Sequence, residues 1–246
     1  MEKKAAKNIK ELLFLLKTSQ IAWIIFLEII AGIFVSIFSF VFFVKIGTDV
    51  FQNELVQFDS LISQFFYSTR NPILTKLMIF ISFLGGDFII YTSSAIIIIL
   101  ILKKHQRESI LFTFILLMGF IINNFLKLLI KRPRPDLVPF FIENTYSFPS
   151  GHSMNSFVFY AVISYFIFHF TKNKNIAFIV SFFSIILILL IGISRIYLGV
   201  HFASDVIAGF IGGFWWFATV LLIRQTIIFF KLFKESKIDR EILIKT

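Results

Sequence analysis

Residues 109–135 read SILFTFILLMGFIINNFLKLLIKRPRP, with one lysine, Lys127, in an otherwise uncharged run that ends in a basic stop punctuated by Pro133 and Pro135. As a helix, Ser109 to Ile130 rises about 33 Å, enough to cross a hydrocarbon core about 30 Å thick. The two prolines stop the helix and stiffen the chain beyond it. This stretch predicts a membrane span ending in a cluster of cations.

Five more stretches are of the same kind: Ile21 to Val44, Leu77 to Leu102, Pro149 to Phe170, Ile176 to Ser194 and His201 to Ile223. The chain has 246 residues, 58% hydrophobic and 15% charged, against about 25% charged in soluble domains. The expectation is an all-α, polytopic membrane protein, a six-transmembrane-helix bundle. No stretch is long and polar enough for a separate soluble domain, so residues 1–246 are expected to form one membrane-embedded domain. Basic segments flank it at 1–20 and 224–246. Ile21 to Val44 is too long for a signal h-region and lacks a small-residue cleavage pattern, which makes it an anchor. The absence of cysteine excludes disulfides and thiolate metal sites and says nothing of compartment.

Lysine and arginine counts orient the bundle. Lys3, Lys4, Lys7, Lys10 and Lys17, then Lys103, Lys104 and Arg107, then Lys172 and Lys174, and finally Arg224, Lys231, Lys234, Lys237, Arg240 and Lys245 fall on one side, which is expected to be cytoplasmic, with both termini. The net charge of +10 is mostly this pattern, so nucleic acid is not an expected partner. Lys127, Lys131, Arg132 and Arg134 fall on the opposite side, against the bias, and a bound anion would account for them. Met1 to Gln20 has two readings, a basic helix on the inner leaflet and a topogenic flank. Asp49 to Asn71, with Leu55, Phe58, Ile62, Phe65 and Phe66, predicts a short surface helix before Asn71-Pro72 opens the next span.

The chemistry lies in three short motifs. Pro149-Ser150-Gly151-His152 opens a helix, whose unpaired amides and positive dipole end suit an anion. Ser150 and Gly151 are expected to cradle phosphate oxygens, with His152 in the first turn placed to protonate a leaving group. His201 and Asp205 lie four apart and on a helix would share a face. A carboxylate on one imidazole nitrogen makes the other a better nucleophile, so His201 is the expected nucleophile and Asp205 its orienter. Arg195 lies just upstream, with Gly199 easing a turn between them. Lys127 and Arg134 suit a phosphoryl group, the first as a point charge and the second as a fork. Lys131 and Arg132 read as a basic stop, and Asp136 and Glu143 as solvated loop residues.

Taken together, the motifs Lys127-x6-Arg134-Pro135, Pro149-Ser150-Gly151-His152 and Ser194-Arg195-x5-His201-x3-Asp205 resemble those of the type 2 phosphatidic acid phosphatase family, the lipid phosphate phosphatases, in its bacterial integral-membrane form. Eleven fixed positions recur in order. The resemblance implies the haloperoxidase-like helical fold and hydrolysis of a lipid phosphate. By it, His201 forms a phosphohistidine, Asp205 supports it, and His152 protonates the leaving group and later activates water. Lys127, Arg134, Ser150, Gly151, Ser194 and Arg195 hold the phosphate. No cofactor and no metal are implied.

Substrate expectations divide between a glycerophospholipid, such as phosphatidylglycerol phosphate or phosphatidic acid, and undecaprenyl diphosphate, because the motifs grip phosphate and not the tail. A non-catalytic phospholipid-binding protein is the alternative of another class, disfavoured by the paired histidines. The bilayer is the expected partner, and the site is expected on the extracytoplasmic face. His169, 17 residues past His152, lies about 25 Å down its helix, and His105 sits in the Lys103 to Arg107 loop, so neither is expected in the site. Asp87, after Gly85-Gly86, is expected to border the pocket. Glu28 is expected to pair with a neighbouring helix.

Overall fold

The computed structural model describes the backbone of residues 2–245 apart from 137, 138, 141, 142 and 172, and the side chains of residues 23–231 apart from the same five. The regular elements among the described residues are eight helices: α1 (Glu2–Phe51), α2 (Val56–Ser68), α3 (Pro72–Leu84), α4 (Asp87–Leu102), α5 (Gln106–Ile130), α6 (Gly151–Phe170), α7 (Lys174–Tyr197) and α8 (Ala203–Lys245). Six stretches of them are long and apolar enough to cross a membrane: 23–51, 72–102, 106–130, 151–170, 174–197 and 203–231. The face presented by residues 1–20 lies outside the described side chains, as does that of residues 232–246 in the C-terminal segment.

The spans differ from the sequence expectation at their ends, for local reasons. The second opens at Pro72 and not Leu77, because Asn71 caps the helix by accepting the Leu74 amide at 2.9 Å and Pro72 suits the first helical position. It is also broken at Gly85-Gly86, where the Tyr160 hydroxyl donates to the Leu84 carbonyl at 2.9 Å and satisfies an acceptor the break sets free. The surface helix is shorter than expected because α1 continues through Phe51, with Lys45 bonded to Asp49 at 2.6 Å one turn on. The fourth span opens at Gly151, capped by Ser150, and the sixth at Ala203, two residues after His201.

The chain forms two compact units. In the unit of residues 1–38 and 218–246, the Ser36 and Thr219 hydroxyls bond at 2.8 Å and Glu28 accepts from Gln225, the neighbouring-helix partner expected for that acid. The unit of residues 39–217 carries the motifs. Its buried clusters join Phe43, Ile46 and Val50 of α1 to Phe148 and Ala208, and Ile196 to Ala203 and Val206, with Ile62 and Phe66 of α2 packed on the latter.

Within that unit α6 and α8 approach closely. A Cβ on Gly209 would lie 2.8 Å from the Ser150 carbonyl oxygen, and one on Gly213 2.9 Å from that of Met154. Small residues four apart permit such contact between membrane helices, where dispersion and not water exclusion holds the pair. The approach brings the starts of α6 and α8 together with the ends of α5 and α7. The Ser150 amide donates to the Asp205 carbonyl at 3.0 Å, and the Phe140 amide to that of Leu198 at 3.2 Å. At the opposite end the His105 ring meets Phe170 at 5.3 Å and His169 stacks on Tyr165 at 6.2 Å, so both histidines stand apart from the motif end, as expected.

Candidate active site

Asp205, fully buried, is the hub of the motif end. Its Oδ2 accepts from the Ser147 hydroxyl at 2.5 Å and the Phe202 amide at 2.9 Å, and faces His201 Nδ1 at 3.5 Å. Its Oδ1 accepts from Arg132 Nη1 at 2.6 Å. His201 is not on the helix with Asp205, as the four-residue spacing suggested. It occupies the turn before α8, which Gly199 makes possible with φ of 74°, a left-handed conformation costly for other residues. The carboxylate folds back over that turn to reach it.

The neighbours of His201 select one tautomer. Asp205 can only accept, which favours a proton on Nδ1, and Arg134, whose Nη1 lies 3.4 Å from Nε2, can only donate. Nε2 therefore carries the lone pair, on the side of Arg134. Burial pushes the imidazole down to about 4 in spite of Asp205, so His201 is neutral near pH 7. A neutral, oriented ring nitrogen among cations is suited to attack an electrophile that bears negative charge.

The cations come from three segments. Lys127, in the last turn of α5, points Nζ at the Tyr146 carbonyl at 2.5 Å and that of Ser147 at 3.5 Å. Arg134 donates to the carbonyls of Thr145 at 2.8 Å and Val200 at 2.7 Å, which pins the motif loop to the turn before α8. Arg195, at the end of α7 and 2% exposed, donates to Ser82 Oγ of α3 at 2.7 Å and to Glu143. Its Nε is buried without a partner, a donor that an entering oxygen would satisfy.

At the start of α6 the Ser150 hydroxyl accepts from Ser153, and its amide is engaged by Asp205. The Ser150 amide is thus taken, whereas the amides of Gly151 and His152, in the first turn of α6, have no helical carbonyl partners and are available to an anion. His152 lies within electrostatic range of Arg195, His201, Lys127 and Arg134. The Ser194 hydroxyl turns back to the Ile191 carbonyl at 2.6 Å, so Ser194 contributes to the shape of the α7 end.

This arrangement has known counterparts. The sequence pattern of the PAP2 superfamily matches residues 108–229. Phosphatidylglycerophosphatase B of Bacillus subtilis (strain 168) is 33% identical over 176 residues, spanning 70% of this chain and 85% of that protein. The chain belongs to the PAP2 superfamily. The crystal structure of a transmembrane PAP2 type phosphatidylglycerolphosphate phosphatase from Bacillus subtilis superposes with a TM-score of 0.73 at 32% identity, covering 78% of this chain and 96% of that one. Aquifex aeolicus LpxE shares the fold at a TM-score of 0.51 and 21% identity, covering 66% and 92%. The protein is a membrane lipid phosphatase of the PAP2 family.

Two expectations need correction in this PAP2 member. Arg132 is no basic stop: its guanidinium is largely buried, bonds Asp59 and Asp205 at 2.6 Å each, and lies 4.2 Å over the Phe202 ring. Glu143 is no solvated loop residue. It pairs with Arg195 and, at 3.4 Å, with Arg134. Burial works against its charge, yet the two arginines hold the carboxyl below the usual range. Asp136 is exposed, as expected. Asp87 is exposed at the start of α4, beside Gly86, which abuts His152. One signal for Arg132 was present in the sequence: Asp59 interrupts the apolar face of Leu55, Ile62 and Phe66, and a carboxylate there needs a buried partner.

Proposed function

We propose that this phosphatase hydrolyses a phosphomonoester lipid, with phosphatidylglycerol phosphate the first substrate to test, through a phosphohistidine on His201. The observation that carries the reading is the placement of the His201 ring between Asp205 at Nδ1 and Arg134 at Nε2, which favours a lone pair on Nε2. Nε2 attacks phosphorus, the bond from phosphorus to the lipid oxygen breaks, and His152 gives that oxygen a proton. Water then attacks the phosphohistidine while His152 takes a proton from it, and the phosphorus–nitrogen bond breaks to release inorganic phosphate and neutral His201. Arg195, Arg134, Lys127 and the amides of Gly151 and His152 stabilise charge on the phosphoryl oxygens, as phosphoryl transfer requires.

The names carried by the Bacillus subtilis protein and by the Bacillus subtilis structure support a phosphatidylglycerol phosphate substrate. Lysine and arginine counts support an extracytoplasmic site with both basic ends, 1–20 and 224–246, in the cytoplasm.

Phosphate release by the purified protein in nanodiscs, with phosphatidylglycerol phosphate, phosphatidic acid and undecaprenyl diphosphate offered in parallel, tests the substrate. Release that is fastest from phosphatidylglycerol phosphate and abolished by His201→Ala is expected. A His201→Ala protein that still turns over would overturn the nucleophile, and faster release from undecaprenyl diphosphate would overturn the substrate. Labelling of Asn144→Cys in intact cells, with Asn173→Cys reactive only after permeabilisation, tests the orientation.

A further inference from the structure

Asp59 is 1% exposed, on a helix that lies at the motif end and brings no family motif to it. Its Oδ1 accepts the Ser204 amide at 2.9 Å, and its Oδ2 accepts Arg132 Nη2 and the Ser204 hydroxyl at 2.6 Å each. Arg132 Nη1 in turn donates to Asp205 Oδ1 at 2.6 Å and to the Ser204 hydroxyl at 2.8 Å. A continuous line of charge-assisted bonds thus runs from α2 through Arg132 to the carboxylate that faces His201.

Three features make this line more than packing. A buried carboxylate is costly unless it is paired and its lone pairs are filled, and here both oxygens are bonded. Asp59 caps the amide of Ser204 in the first turn of α8, where the helix dipole favours negative charge, so it fixes the helix start that carries Asp205. The fork of Arg132 joins the two carboxylates through separate nitrogens, which a lysine ammonium cannot reproduce with the same fixed spacing.

We propose that Asp59, acting through Arg132 and Ser204, is a positioning residue for the Asp205–His201 pair, so that the surface helix α2 sets the aim of the nucleophile. This rests on the reading of His201 as nucleophile. The charged and titratable groups facing His201 are Asp205 on α8, Arg134 and Glu143 on the loop before α6, His152 on α6, Arg195 on α7 and Lys127 on α5. Arg132 acts on it from behind Asp205. Without Arg132, the Asp205 charge falls more fully on His201 and the ring is easier to protonate. Without Asp59, the Arg132 charge is uncompensated and the ring is harder to protonate.

The test compares Asp59→Asn, Arg132→Lys, Arg132→Gln and His201→Ala in nanodiscs, measuring kcat, KM and the acid limb of the pH–rate profile per folded molecule. Asp59→Asn and Arg132→Lys are expected to lower kcat by up to about a hundredfold at near-constant KM, as a misaimed nucleophile does. Arg132→Gln is expected to move the acid limb to higher pH, and Asp59→Asn to leave it in place or move it lower. If His201→Ala is dead while Asp59→Asn keeps wild-type kcat, the positioning role is overturned and the nucleophile stands. Should Asp59→Asn fail to fold, Arg132→Lys decides, and wild-type kcat in that variant overturns the proposal. A His201→Ala protein that remains active removes the nucleophile reading itself.

Discussion

Gly86 leaves room for His152: a Cβ built on it would lie 2.7 Å from Nε2 of the imidazole. The break between α3 and α4 therefore sets one wall against a proposed catalytic group. Gly86→Ala is expected to push the ring aside and lower kcat about tenfold to a hundredfold, since small displacements of a reacting group carry such penalties. The melting temperature should change little, because the ring can swing away. Steady-state kinetics beside a thermal melt will check this, and an unchanged kcat would show that His152 tolerates the shift.

The pH profile follows from the burial of His201. With its proton lost at about 4, the ring is unprotonated well below the ordinary histidine value. As pH falls, the attacking lone pair is expected to survive through pH 6 and to disappear only as pH approaches about 4. NMR of the His201 ring in the ligand-free protein, read through the same pH range, reports its titration apart from that of the substrate phosphate, whose second pKa is about 6. A ring that titrates near 6.5 would mean that it is solvated before chemistry.

Glu143 pairs with Arg195 and Arg134, the arginines proposed to hold the phosphate. Glu143→Gln removes the competing charge and is expected to tighten inhibition by inorganic phosphate or vanadate by several-fold, at low salt above all. Inhibition constants for the variant and the wild type will decide. Weaker inhibition in the variant would assign the carboxylate a supporting role toward substrate.

The spans and the motif groups were legible because both are local properties. A run of apolar residues announces a span whatever it packs against, and Arg195, His201 and Asp205 lie within one helix end, one turn and one helix start. The break at Gly85-Gly86 was hidden because its support, the Tyr160 hydroxyl, comes from another helix. Arg132 and Glu143 were misread for the same reason. Their partners lie up to 73 positions away, and an isolated loop charge gives no sign of being buried. Ser150 and Ser194 illustrate the converse, since each sits in a motif while its hydroxyl serves its own helix.

The same buried ions also constrain the valence of what can enter. Lys127, Arg132, Arg134 and Arg195 set four cations against the three carboxylates of Asp59, Glu143 and Asp205, an excess of one positive charge in a partly buried cluster. Exchanging Glu143 for a phosphomonoester dianion, the form that dominates above a second pKa of about 6, balances these groups, with the proton that the proposed mechanism places on His152 counted apart. A phosphodiester brings a single negative charge and leaves the excess in place. On the proposed site, a terminal phosphate is therefore expected to be held more strongly than the bridging phosphate of ordinary membrane phospholipids, before any contact with the lipid tail.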